Sequence, residues 1–252
     1  MSKQGQSSSK SSDYNTHKDP IELAALRVGY ANGQRYRMRG QALFHGVQLS
    51  EAHVLDVGCG KGAWSLWAAL HGAERVVAIE PEAHGSTSSS LETLQQTVRL
   101  LSLENKVLAS GHYLQELAQQ ETPFDVVVMY NVINHLDEEA VVRIHHDPIA
   151  FNRYVSIFSN LRRQVQLGGW LIVADCARDN IWNQLGLKSP LAPSIEWHKH
   201  QNPRVWIDVL DKAGFKYHDL QWSPLQPFLR STSNWLVQYL TCSHFVLRCR
   251  VS

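Results

Sequence analysis

The sequence has no long hydrophobic run, no excess of one charge and few sulfur-bearing residues, and each shortage removes a class of protein. No stretch approaches the ~18–20 consecutive apolar residues that a membrane span needs, and the first residues hold no apolar segment that reads as a secretory signal. Lys plus Arg number 24 against 23 Asp plus Glu, a formal charge of +1. That balance weighs against a strongly electropositive nucleic-acid platform, a local patch aside. Only four cysteines occur, at 59, 176, 242 and 249, and none forms a C-x-x-C pair. Neither a zinc ribbon nor a thioredoxin-like redox site is expected. Reduced thiols in a cytoplasmic protein are the simplest expectation, with Cys59 and Cys176 read as small buried side chains. Core material, by contrast, is plentiful. Of 252 residues 44% are apolar and 19% charged, which excludes a mainly disordered chain, and the length suits one large domain or a domain carrying a modest insertion or cap.

Residues 1–20 read as a disordered tail, with Ser7, Ser8, Ser9, Ser11 and Ser12 among Lys and Gln and no apolar periodicity. Residues 21–50 read as a helical cap, in which Leu23, Leu26, Met38, Leu43 and Phe44 can pack beside the cationic and aromatic cluster Tyr30, Arg35, Tyr36, Arg37 and Arg39. A regular alternation follows. His53–Val57 is a strand, then a glycine loop, then a helix carrying Trp64, Trp67 and Leu70 that stops at Gly72. Residues 76–79 form a second strand, and Leu91, Leu94, Val98 and Leu101 mark an amphipathic helix. Residues 107–109 and 124–129 are the third and fourth strands. Residues 138–166 are largely helical, restarting at Pro148 and ending at Gly168-Gly169, with 170–174 as the fifth strand. Asn202-Pro203 opens a helix to Gly214. Phe215–Trp222 and residues 243–251 then alternate as an antiparallel pair, with no helix expected between them. Short strands separated by helices predict an α/β fold, a mostly parallel sheet covered on both faces, with an antiparallel C-terminal strand.

The most informative run is Val54-Leu55-Asp56-Val57-Gly58-Cys59-Gly60-Lys61-Gly62. A strand that turns into a helix through three alternate glycines lets backbone approach a ligand closely, because no Cβ intervenes. A G-x-G-x-x-G match alone would say little, and the third glycine of the nicotinamide-type motif is here Ala63. The full pattern is D-x-G-x-G-x-G, and Glu80 follows Asp56 by 24 residues at the end of the second strand. A carboxylate there can accept hydrogen bonds from both hydroxyls of a ribose.

With these residues the chain resembles the class I S-adenosylmethionine-dependent methyltransferases. The likeness covers about residues 50–180 in order: the glycine loop, Glu80, Phe124-Asp125-Val126-Val127-Val128, Asn131-Val132-Ile133-Asn134-His135-Leu136, and Gly168-Gly169. It implies a Rossmann-like seven-stranded sheet and S-adenosyl-L-methionine as cofactor. On that reading Asp56, Gly58, Cys59, Gly60 and Gly62 flank the methionine part, Glu80 holds the ribose, and Asn131 lies beside the reactive methyl. Many members carry an acid after strand three that contacts the adenine amine. This chain has Gly111-His112 there, and His112 can accept that bond as neutral imidazole. His135 takes the place where many small-molecule methyltransferases have a histidine, and it equally well caps the helix start at Asp137-Glu138.

The fold says nothing of the acceptor, so the segment after strand five, about residues 175–206, matters most. It holds Asp175, Arg178, Asn180, Trp182 and the run Glu196-Trp197-His198-Lys199-His200, dense for a connector and expected to act as a substrate lid. His198 and His200 are candidate bases or orienting groups, or else hydrogen-bond loop carbonyls. Metal binding by Glu196, His198 and His200 is the lesser reading, since a hard oxygen ligand set is not evident. The expected activity is methyl transfer to an O or N atom of a small-molecule acceptor, with no membrane and no nucleic acid as partner. The rivals are an RNA or protein methyltransferase using Arg35, Arg37 and Arg39 as a docking strip, a nicotinamide-dependent oxidoreductase, and a non-catalytic cofactor-binding subunit. No N/D-P-P-[FYW] run follows strand four, which weighs against the base-N-methylating families.

Overall fold

The computed structural model describes residues 19–81, 89–117, 122–190, 192–223, 235–241 and 243–252. The expected tail, residues 1–20, lies almost wholly outside the described residues, as does Cys242. Two helices come first, α1 (Pro20–Arg27) and α2 (Gly33–Leu43). Asp19 caps α1 by accepting from the Ile21 N–H, and Asn32 caps α2 by accepting from the Arg35 N–H, the usual remedy for the free amides of a first turn. The alternation then runs β1 (His53–Val57), α3 (Ala63–Leu70), β2 (Arg75–Ile79), α4 (Ser90–Leu100), β3 (Val107–Ser110), β4 (Phe124–Tyr130), α5 (Glu138–Val141), α6 (Pro148–Arg162), β5 (Val165–Cys176), α7 (Ile181–Gln184), α8 (Pro203–Lys212), β6 (Phe215–Trp222), α9 (Trp235–Leu240) and β7 (His244–Val251).

The seven strands form one sheet in the order β3-β2-β1-β4-β5-β7-β6. The first five are parallel neighbours, and β7 is antiparallel to both β5 and β6. Strand alternation divides the core in two. Leu55, Val57, Val127, Met129, Leu171 and Val173 face α5, α6 and α8, meeting Tyr154, Phe158 and Trp206. Val54, Val126, Val128 and Ile172 face the other way and meet Tyr36, Trp64 and Trp67 from α2 and α3. Burial on both faces explains why residues 126–129 of β4 form an unbroken apolar run. The cap lies hard on the second layer: a Cβ at Gly40 would come within 2.4 Å of the Trp67 ring.

Two expectations are corrected. Gly168-Gly169 does not end the preceding helix. That helix stops at Arg162, and both glycines sit inside β5, where pairing with β4 slips between Phe124 and Val126. A Cβ at Gly169 would lie 2.8 Å from Val165 Cγ1 and 3.0 Å from the Gln166 carbonyl, so the pair serves a bulge and not a cap. Second, a helix does stand between β6 and β7. A six-residue apolar segment, Trp235–Leu240, is too short for its periodicity to choose helix over strand. It packs against α7, where Trp182 Nε1 donates to the Leu240 carbonyl and Tyr239 Oη to Gln184 Oε1.

Candidate functional site

β1 carries Asp56 to the carboxyl edge of the sheet, and the loop after it enters the left-handed region three times. Gly58, Gly60 and Gly62 have φ of +64°, +52° and +80°, values that cost glycine little. Their surroundings separate them. A Cβ at Gly58 would sit 2.3 Å from Val132 Cγ2 and one at Gly62 2.2 Å from Leu94 Cδ1, whereas one at Gly60 would meet nothing within 4 Å. Gly58 and Gly62 are packing positions; the Gly60 backbone faces open space. The loop is tied to β2, since Cys59 N–H donates to the Ile79 carbonyl at 3.0 Å and Gly60 N–H to Glu80 Oε2 at 2.7 Å.

Strand order reverses between β1 and β4, the place where open α/β sheets bind ligands. A cavity of about 250 Å³ opens there, lined by Gly58, Glu80, His112, Asn131, Val132 and His135, with Leu114 and Leu136 as apolar walls. Asn131 holds φ +56°, and its N–H donates to the Ala174 carbonyl at 2.7 Å. A non-glycine residue in that region at a strand tip is a mark of functional sites. Tyr113, Gln115 and Glu138 also line the cavity; none belongs to a local sequence pattern that could have announced it.

Asp56 is buried behind the loop. Ser65 Oγ donates to its Oδ2 at 2.6 Å, and Oδ1 has no partner among the described residues. Burial raises its pKa from 3.8 to about 7, while burial lowers that of His244 from 6.5 to about 4. Asp56 binds its proton more tightly when folded, so from pH ~4 to ~7 its contribution makes stability fall as pH rises. His244 binds its proton more weakly when folded, so its contribution is lost as pH falls from ~6.5 to ~4. The two slopes, each up to ~1.4 kcal/mol per pH unit, oppose each other. Asp56→Asn should therefore leave stability climbing by roughly 1.4 kcal/mol per pH unit more than in the parent between about pH 4.5 and 6. Urea titrations with equal pH slopes for the two proteins would show that the Asp56 proton is not held.

A second cavity, about 280 Å³, lies on the other side of the β4 tip and is lined by Gly29, Tyr30, Arg35, Arg39 and Tyr130. Arg39 Nη1 donates to Tyr130 Oη at 3.3 Å. Burial raises the phenol pKa of Tyr30 and of Tyr130, so both stay neutral. The Tyr130 ring stands 5.0 Å from Trp64 and 5.5 Å from His244. His244 Nδ1 donates to the Ser223 carbonyl at 3.0 Å, leaving Nε2 without a partner among the described residues. Beside it, Asp175 Oδ1 accepts from the Cys176 N–H at 2.8 Å and lies 3.1 Å from His200 Nδ1. The His200 contact has the distance of an ion pair without the alignment of a hydrogen bond, and Asp175 Oδ2 has no partner among the described residues.

The three candidate histidines therefore part company. His200 joins the buried polar group at the ends of β5 and β7 and lines neither cavity. His135 lines the first cavity, its Nδ1 2.6 Å from Glu138 Oε1. His198 is exposed on the single turn Trp197–Lys199 and lines neither cavity. Lys199 Nζ bridges Glu138 at 2.9 Å and Glu196 at 2.8 Å, holding the carboxyl pKa of both below the usual range and strapping this segment to the one after β4. No group of three or more His, Cys, Asp or Glu side chains among the described residues could hold a metal ion. No helix among them is long and apolar enough to cross a membrane. His244, deep in an apolar strand, is the polar residue that sequence reading passed over. Its one signal is a lone imidazole in the run Phe245-Val246-Leu247.

Comparison with known proteins agrees with this geometry. The sequence profile described as a methyltransferase domain matches residues 31–220. No curated protein matches the sequence. A solved S-adenosylmethionine-dependent methyltransferase from Aquifex aeolicus is 14% identical with a TM-score of 0.58, covering 93% of this chain and 100% of its own. One from Mesorhizobium loti is 12% identical with a TM-score of 0.58, covering 86% and 97%. The N-methyltransferase NodS from Bradyrhizobium japonicum is 16% identical with a TM-score of 0.53, covering 86% and 97%. At such identities the solved structures speak for the fold, and the profile for the family. The chain belongs to the methyltransferase-domain family and has its Rossmann-like, seven-stranded architecture.

Proposed function

We propose that the chain takes S-adenosylmethionine in the cavity at the ends of β1, β2 and β4 and methylates an O or N atom of a small-molecule acceptor in the second cavity. The observation that carries the reading is Glu80, a carboxylate at the tip of β2 that fronts the cavity and is locked to the Gly60 N–H. When bound, the cofactor supplies an electrophilic methyl and its leaving group, leaving the protein to bind, align and handle a proton. A carboxylate has room for roughly four hydrogen bonds, so Glu80 can keep Gly60 and still accept both ribose hydroxyls. The unpartnered Asp56 Oδ1 suits an ammonium group. Gly60 offers backbone without a Cβ, and His112 with Val132, Leu114 and Leu136 forms walls for a flat base. Residues 175–206 cover the acceptor, and His200, oriented through Nδ1 by Asp175, takes the acceptor proton at Nε2. The arginine strip of an RNA or protein methyltransferase is less well supported, because Arg37 turns away from Arg35 and Arg39 to pair with Asp19. Cys59, Cys176 and Cys249 are buried thiols in no disulfide, in keeping with a reducing compartment such as the cytoplasm.

Calorimetry with S-adenosylhomocysteine, the demethylated product, tests the cofactor site. At a hundredfold excess over Kd it should stabilise the fold by ~2.7 kcal/mol. Glu80→Ala should weaken its binding by about 1.5–3 kcal/mol without unfolding the protein. Glu80→Gln, which can still accept from Gly60, should recover only part of that. A melt unmoved by S-adenosylhomocysteine but raised by NAD would overturn the reading.

A further inference from the structure

We propose that the acceptor is an organic anion, a small molecule bearing a carboxylate or a phosphate, whose charged end is gripped by Arg35 and Arg39 at the mouth of the second cavity. This rests on the methyl-transfer reading and adds the class of acceptor to it. Arg35 and Arg39 stand four residues apart on α2, which sets both on one face of the helix. Arg37, between them in sequence, lies off that face with Asp19. None of the five described residues lining the cavity is acidic, and two are guanidinium groups. Guanidinium forks match carboxylate and phosphate oxygens in pairs. Arg39 is steadied by Tyr130 Oη, so one fork stands at the tip of β4, next in sequence to Asn131 in the first cavity. The walls are the rings of Tyr30 and Tyr130, with Trp64 5.0 Å behind Tyr130, a slot suited to a flat or apolar body.

Behind Tyr130, outside the residues that line the cavity, the character reverses. His244 Nε2 and Asp175 Oδ2, both on buried side chains, are acceptors without partners among the described residues. An unmet buried acceptor is costly and calls for a donor. The donors line the cavity, and the acceptors lie behind its wall. The ligand's anion is held at the arginines, and its hydroxyl or amine points away from them. The two guanidinium groups in the lining favour a hydroxy- or amino-substituted carboxylate or phosphate over a neutral acceptor.

The test uses the full chain, with and without S-adenosylhomocysteine, and three probes sharing one ring: benzoate, phenyl phosphate and benzyl alcohol. At least one anion should bind, benzyl alcohol at least about tenfold more weakly, and the anion's affinity should fall as salt screens it. Benzoate as the tighter ligand identifies a carboxylate acceptor, phenyl phosphate a phosphate. Arg35→Ala and Arg39→Ala should each weaken the anion about tenfold or more, a change of about 1.4 kcal/mol per decade. Both variants should keep a cooperative melt and S-adenosylhomocysteine affinity within a few-fold. Benzyl alcohol binding as tightly as both anions, no binding of either anion, or anion affinity unmoved by both variants would each overturn the proposal. Failure of S-adenosylhomocysteine to bind would instead overturn the methyl-transfer reading, and titrations without it still judge the anion site alone.

Discussion

Replacing His200 with alanine is expected to lower methyl-transfer turnover by roughly 10²–10⁴-fold, the range for a lost positioned base, while S-adenosylhomocysteine affinity stays within a few-fold. The reason lies in where the imidazole sits. It is largely covered and 3.1 Å from a buried carboxylate, and it lines neither cavity. A base works when a second group fixes its tautomer, and Asp175 is the group at hand. The loose alignment of the pair is common before substrate binds and tightens in the reacting complex. Two companions sharpen the test. Asp175→Asn leaves the imidazole in place but removes the charge that orients it. Its loss should therefore fall in kcat, with KM little changed. His198→Ala, on an exposed turn outside both cavities, should leave turnover as it was. Steady-state methyl transfer paired with calorimetry reads all three. Full turnover in His200→Ala would mean that the acceptor arrives deprotonated or that another group takes its proton. Equal loss of cofactor binding would mean that residues 175–206 close over the cofactor.

What was legible in the sequence follows from how local each signal is. The strands around the first cavity are apolar runs bounded by glycine or by a capped helix, and His53–Val57 and Phe215–Trp222 run between the residues expected. Asn202 caps α8 by accepting from the Arg204 N–H at 2.9 Å, as Asn before Pro suggests. The glycine loop with Glu80 could be read because these two parts lie within 24 residues of chain, whereas the rest of the lining, from His112 to Glu138, comes from farther along. The second cavity has no such compact source. Tyr30, Arg35 and Arg39 come from the N-terminal helices, Tyr130 from β4, and His244 behind them from β7, so only closure of the sheet brings them together. His198 and His200 looked alike because they are two residues apart. The turn at Trp197–Lys199 leaves the first exposed and brings the second to Asp175. Gly168-Gly169 misled because a glycine pair ends a helix and bends a strand equally well.

Arg248→Ala is expected to remove about 1–3 kcal/mol of stability, the cost of leaving buried polar groups without their donor. Arg248 belongs to β7 and is 1% exposed. Its Nε donates to the Leu43 carbonyl at 3.1 Å, Nη2 to the Ala42 carbonyl, and Nη1 to Asp219 Oδ2 at 2.7 Å. Leu43 is the last residue of α2, and the final carbonyls of a helix have no partner within it. The guanidinium therefore closes the end of α2, where a cation also meets the favourable pole of the helix dipole, and pins the cap to β7, beside the edge strand β6. Burial pulls the guanidinium pKa down while Asp219 pulls it up. Without the arginine, two helix carbonyls and a carboxylate would be left without that donor. Arg248→Lys keeps one charge but cannot reach three acceptors in a fork, so it should fall between. Arg248→Ala with Asp219→Ala should recover part of the loss, since the uncompensated carboxylate goes too. Urea unfolding should show the midpoint falling with an unchanged slope. Because α2 carries Arg35 and Arg39, acceptor affinity should suffer in the folded fraction while S-adenosylhomocysteine affinity holds. A loss under about 1 kcal/mol would show that water serves the freed carbonyls as well as the arginine does, and the cap would then owe its place to the packing of Tyr36 and Gly40 on Trp67.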